Sequence, residues 1–121
     1  MSIEEQLEKL LFQMKLVGES LDSRVHPIPA LVISMNWSAT DLDKAHDIFE
    51  KFDRILESGK KPNWGEFEQD FKEQFEIGYQ SLKTVVLAFH RNFQWTQVCE
   101  TYAKTYECME FHEITRPKSF S

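Results

Sequence analysis

Apolar residues recur at Ile3, Leu7, Leu10, Met14, Val17 and Leu21, alternately four and three apart, a spacing that draws one stripe along a helix. Ser2 and Glu5 stand at capping-box spacing just ahead of it, so the helix is expected to start at once and to run to about Asp22. Leu11 and Leu16 widen the stripe. The polar segment Asp22 to His26 ends at Pro27, whose ring disfavours α conformation in the residue before it. Pro27 and Pro29 fit a first helical turn, where a missing amide hydrogen would have had no intrahelical partner. Pro27 to Met35 is therefore predicted as a short, buried apolar helix. Asn36 accommodates the left-handed conformation that ends a helix, and Ser38 caps the next, with Asp41 at its third position. Leu42, Ala45, Ile48, Phe49, Phe52, Ile55 and Leu56 form the inward face of this third helix, which Gly59 and Pro62 terminate.

Asn63 caps a fourth helix, with Glu66 three residues on and Phe67, Phe71 and Phe75 as a ridge of period four. Gly78 separates it from a fifth, in which Leu82, Val85, Val86 and Phe89 carry the apolar face as far as about His90. Thr84-Val85-Val86 is strand-like in composition, but no second such segment exists to pair with it, and an unpaired strand leaves its backbone groups unsatisfied. A last helix, about Gln94 to Met109, places Trp95, Val98, Tyr102 and Tyr106 on one side. The expected fold is all-α: a compact bundle of five or six helices with a long amphipathic N-terminal helix. Residues 1–110 are expected to form one helical domain, residues 111–121 a flexible tail, frayed from Arg116.

Length and composition fit that picture and remove several function classes. A chain of 121 residues with 41% hydrophobic positions and ten Phe has enough apolar bulk for one real core. Its net charge of −6 opposes nucleic acid and anionic lipid, so neither is expected as a partner. Two cysteines, Cys99 and Cys108, form no disulfide framework; a continuous helix would hold them roughly 13 Å apart on opposite faces. They read as reduced thiols. The start Ser2-Ile3-Glu4-Glu5 lacks a basic, apolar leader, and no apolar run is long enough to span a bilayer, which together make the cytoplasm the expected location.

No motif assigns a chemistry. The histidines at 26, 46, 90 and 112 show no zinc spacing with one another or with the cysteines. Asp43, His46, Asp47 and Glu50 share a helical surface that could approach a metal, but the same surface is explained by solvated charge paired with Lys44, Lys51 and Arg54. In an EF-hand reading from Asp41, His46 would occupy the glycine position and Phe52 the closing glutamate, which excludes it. The four glycines are dispersed and make no phosphate loop, Cys99 lies mid-helix without an activating cation, and no phosphorelay pattern follows His46 or His90. His90-Arg91 is placed where cations complement a helix C-terminus. The third helix resembles the reading helix of a helix-turn-helix only in its connection, since its acidic surface would face phosphates. Catalytic, cofactor-binding and metal residues are accordingly expected to be none.

The segment His26-Pro27-Ile28-Pro29-Ala30-Leu31-Val32-Ile33, the short turn into the Ser38-capped helix and the closing Phe93-x-Trp95 to Tyr102 helix together resemble the YhaI-like family, small all-helical proteins of spore-forming Gram-positive bacteria. The resemblance spans about residues 3 to 108. It implies a compact multihelical fold and no activity, because the shared pattern is one of packing.

Function is then expected to reside in a helical surface. Ile3, Leu10 and Val17 occupy one heptad position and Leu7, Met14 and Leu21 the other, which is coiled-coil register and marks these six residues as a candidate interface with a second copy or another protein. The same stripe would serve equally to pack the helix on the chain's own core. Gln6, Gln13, Gly18 and Ser20 flank it without the charges that specify a partner. An enzyme or ligand-binding bundle is the alternative, with a site assembled from Glu73, Tyr79, His90 and Tyr102. A further reading concerns the acidic strip Glu66, Glu68, Asp70, Glu73 and Glu76, whose last two members either form a simply solvated acidic face or meet a cation, such as Arg91 or one from a basic partner.

Overall fold

A computed structural model describes residues 1–116. Among them the chain is all-helical, in the order α1 (Ile3–Ser20), α2 (Pro27–Met35), α3 (Ala39–Glu57), α4 (Trp64–Phe75), α5 (Tyr79–Arg91), α6 (Thr96–Thr105), a 3-10 turn (Met109–Phe111) and α7 (His112–Thr115). The punctuation is local chemistry. Ser2 accepts from the Glu5 amide at 3.1 Å, Ser38 and Asp41 form a reciprocal capping box, and Asn63 accepts from the Glu66 amide. At their other ends α2, α3 and α5 close with paired hydrogen bonds back to the last turn, Trp37 to Val32, Lys60 to Ile55 and Gln94 to Phe89. Asn36, Gly59 and Phe93 take the left-handed conformation those closures need, and a bulky Phe there carries a strain of about 1 kcal/mol.

Aromatic rings hold the body together. Phe67 on α4 sits with its ring centroid 5.6 Å from Phe49 and 5.1 Å from Phe52 of α3, 5.5 Å from Trp64, 5.2 Å from Phe71 and 5.0 Å from Tyr102 of α6, mostly edge to face. α5 passes through the middle with Leu82, Val85, Val86 and Phe89 all buried, and α2 packs on it through Leu31. The face read for α3 is the buried one: Ala45, Phe49 and Phe52 are fully inside, and Leu42, Ile48, Ile55 and Leu56 lie half-buried against them.

Three expectations require correction. α6 ends at Thr105, so no continuous helix joins Cys99 to Cys108. The folded unit does not stop at residue 110, because Phe111 and Ile114 enter the core, and Arg91 grips Glu113 through Nε at 2.9 Å and a terminal nitrogen at 2.6 Å. The part of the expected tail from 117 to 121 lies outside the described residues. α2 is not the buried helix its composition suggests: only Pro27 and Leu31 are covered, while Pro29 and Ser34 are exposed and Val32 and Ile33 are half-buried.

Two tests follow from this packing. Phe67→Ala removes a ring enclosed by five aromatic neighbours and should cost about 3–5 kcal/mol in chemical denaturation, whereas Leu7→Ala in the uncovered α1 should leave the midpoint for the body unchanged. The Arg91 guanidinium holds the Glu113 carboxyl below the usual carboxylate range, partly offset by burial. A depressed folded-state value stabilises above the ordinary glutamate range and ceases to do so as pH falls through it. Docking of α7 should therefore weaken on acidification, seen as lower protection of its amides relative to their intrinsic exchange rate at each pH, and Arg91→Gln should abolish that pH dependence.

Candidate functional site

α1 is a complete helix that buries none of its residues. Ile3 is 82% exposed, Leu7 54%, Leu10 58%, Met14 50% and Val17 48%, and Leu11, Phe12 and Leu16 stand out similarly. The stripe of period three and four thus does not pack on the chain's own core. Leu21 departs from the other five: it follows the helix end in extended conformation and lies half-buried beside a small cavity lined by Pro27, Leu31 and Ala88.

The helix meets the body mainly at α2, where Gly18 faces Ile33. A Cβ on Gly18 would lie 2.7 Å from the Cγ2 methyl of Ile33, so a larger residue requires the Ile33 side chain to shift. Beyond this contact the two helices diverge around an open groove of about 710 Å³, with Leu11, Met14 and Lys15 along one side and Ala30, Ile33 and Trp37 along the other. Trp37 is fixed from behind by stacking on Phe75, 4.6 Å between ring centroids. The groove is apolar through most of its depth, with Lys15, Glu19, Ser34 and Asn36 at its polar margins.

Elsewhere several of the candidate polar side chains are engaged with one another. Trp95, itself left-handed at φ 51°, donates its indole N–H to Nδ1 of His46 at 3.0 Å, and Glu50 pairs with Arg54 at 2.7 Å. Of the Asp43, His46, Asp47, Glu50 face only His46 and Glu50 are engaged in this way; Lys51, expected to pair along it, turns to α4 instead, and no group of three candidate metal ligands gathers among the described residues. Of the residues proposed for a composite catalytic site, Tyr102 donates to Glu68 at 3.0 Å, Tyr79 lies under Nζ of Lys83 at 4.6 Å, His90 stands 3.5 Å from Glu100, and Glu73 accepts from Gln69 at 3.0 Å. They are held by four different partners. Burial, then Glu68, pushes the Tyr102 hydroxyl well above its ordinary value, so it remains a donor. The acidic strip is also resolved: Lys51 of α3 bonds Glu66 at 2.8 Å and Asp70 at 2.9 Å, Arg91 is committed to Glu113, and no ion pair reaches Glu73 or Glu76 among the described residues. The expected contact with Arg91 is not made.

Reading the sequence missed Phe12, Gly18 and the α2 wall. A glycine inside a helix costs about 1 kcal/mol relative to alanine, a sign that something approaches it closely, and an apolar α2 with few polar positions signals a helix needing cover on more than one side. No family model, curated protein or solved structure matches the chain. No helix of the described residues is long and apolar enough to cross a membrane.

The cysteines give a test of this assignment of buried and open chemistry. Cys99 is fully enclosed and burial raises its thiol far above the ordinary range, while Cys108 is partly open. A thiol reagent should modify Cys108 in the native protein and reach Cys99 only after denaturant is added; uptake at both sites in the folded state would contradict the packing of α6.

Proposed function

We propose that this chain is a small helical interaction protein that works by associating with a second copy of itself through α1 and the adjoining groove. What supports this reading above all is a fully formed helix with eight large apolar side chains exposed and none buried. Helices in proteins owe most of their stability to packing of an apolar face, and α1 buries none of its residues. Exposed patches of this kind mark interaction sites.

The polar side of α1 narrows the partner. Glu4, Glu5, Glu8 and Glu19 outnumber Lys9 and Lys15, so the helix lacks the basic face with which amphipathic helices settle on anionic bilayers. An enzyme reading finds less support, since its candidate side chains are dispersed among separate hydrogen-bonding partners. The resemblance to YhaI-like proteins remains a proposal about the fold and adds no activity.

Sedimentation over a wide concentration range tests the reading. The wild-type chain should associate reversibly, and Leu10→Glu should raise the dissociation constant at least tenfold while circular dichroism, and the denaturation midpoint measured below the wild-type dissociation constant, stay unchanged. A wild-type chain that is strictly monomeric at every concentration, with Leu10→Glu indistinguishable from it, would sink the proposal.

A further inference from the structure

We infer that His46 is a proton-operated latch: neutral, it holds the corner between α5 and α6 by accepting from Trp95, and protonated, it turns to the carboxylates of its own helix and releases that corner. The device is separate from the surface of α1 and does not rest on self-association.

The corner carries unusual backbone. Phe93 at φ 58° and Trp95 at φ 51° are both left-handed and stand two positions apart. Bulky residues rarely adopt this conformation, which persists only where the surroundings hold it. The closure of α5 accounts for Phe93, through the Gln94 amide bonded to the Phe89 carbonyl at 3.0 Å. Trp95 has no such closure behind it, because it begins α6, and no side chain caps that helix. What holds Trp95 is its own side chain, packed half-buried against the core, with the indole N–H on Nδ1 of His46 at 3.0 Å. Asn92 and Gln94 bond to each other at 2.7 Å and reach no other element through that contact. Among the described residues the indole bond is therefore the one side-chain hydrogen bond that ties this corner to α3.

That bond exists in one protonation state. When Nδ1 accepts, Nε2 carries the ring proton; imidazolium donates from both nitrogens and accepts at neither. The bond is made above the imidazole range and lost below it. The surroundings of the ring are divided in the same way. From α5 it meets the ring of Phe89, nearly perpendicular at 5.1 Å between centroids, which offers a cation no carboxylate. His90 of α5 is turned to Glu100. From α6 it meets Trp95, with buried Cys99 one turn further on. On α3, Asp43 and Glu50 stand one turn to either side, with Asp47 next in sequence. Glu50 pairs with Arg54, while Asp43 and Asp47 are exposed and make no ion pair among the described residues. The neutral ring thus has its partner on α6 and the cation has its partners on α3, so a single proton exchanges one set for the other.

Nuclear magnetic resonance of the full chain between about pH 8 and pH 5 tests the latch. The Trp95 indole N–H signal, identified by its loss in Trp95→Phe, should move with the same midpoint as the ring protons of His46. Over the same range the amides of residues 92–97 should lose about tenfold in protection relative to their intrinsic exchange rates. His46→Gln presents an oxygen that accepts at every pH, so it should keep the corner protected throughout while His26, His90 and His112 still titrate. Asp43→Asn should lower the midpoint by about half a unit, since it removes a charge that favours the cation. A His46 that protonates while the indole signal and the corner stay constant would overturn the inference, as would equal loosening in His46→Gln. An Asp43→Asn midpoint identical to wild type would overturn the exchange of partners.

Discussion

The ring of Phe67 is the point on which the body of the molecule turns. It brings α3, α4 and α6 to a single place by meeting Phe49 and Phe52 on one side and Tyr102 on the other, and α5 threads the remaining space with Val85, Val86 and Phe89. Aromatic packing of this kind concentrates much apolar area in few residues, which is how a 121-residue chain without disulfides supplies a core. It also sets a demand, because Tyr and Trp carry polar tips that must be satisfied once buried. Glu68 answers Tyr102 and His46 answers Trp95, and no buried side-chain nitrogen or oxygen among the described residues lacks a partner. Glu68 and His46, which resemble candidate chemistry in the sequence, serve the core.

A second consequence is that the core is complete without α1. Leu31 of α2 reaches α5, and the chain from α3 to α7 closes over the rings, yet the longest apolar stripe of the N-terminal region takes no part. Lys83 illustrates the contrast. Its ammonium is nearly enclosed but sits over Tyr79 and 3.4 Å from Glu110, a local solution found within the fold. The apolar side chains of α1 find no comparable solution among the described residues.

Much of this was legible in advance. Helix starts at Ser2, Ser38 and Asn63 follow from side chains that bond their own backbone, and the inward faces of α3 to α5 follow from spacing, because both are properties of a single helix. What spacing leaves open is the identity of the surface that an apolar face meets. The stripe of Ile3, Leu7, Leu10, Met14 and Val17 has the same period whether it packs inward or outward, and the exposure of α2 depends on where α1 comes to rest. The C-terminal segment failed for a related reason: Phe111 and Ile114 are only two apolar residues among charges, too few to show a period, and they dock because the ring cluster leaves a place beside Tyr102, 5.9 Å from Phe111. Partner choices such as Lys51 with Glu66 and Asp70 join residues far apart in sequence, and no local rule selects among the available cations.

The isolation of α1 bears on how the chain yields to proteases. Lys9 and Lys15 lie on a helix that buries no residue, and the turn from Asp22 to His26 is exposed throughout. Cleavage there requires only local opening, which costs far less than unfolding the body. Pro27 and Pro29 then begin a segment whose Leu31 is packed in the core. A cut in that turn would remove the whole first helix and none of the aromatic rings that build the core.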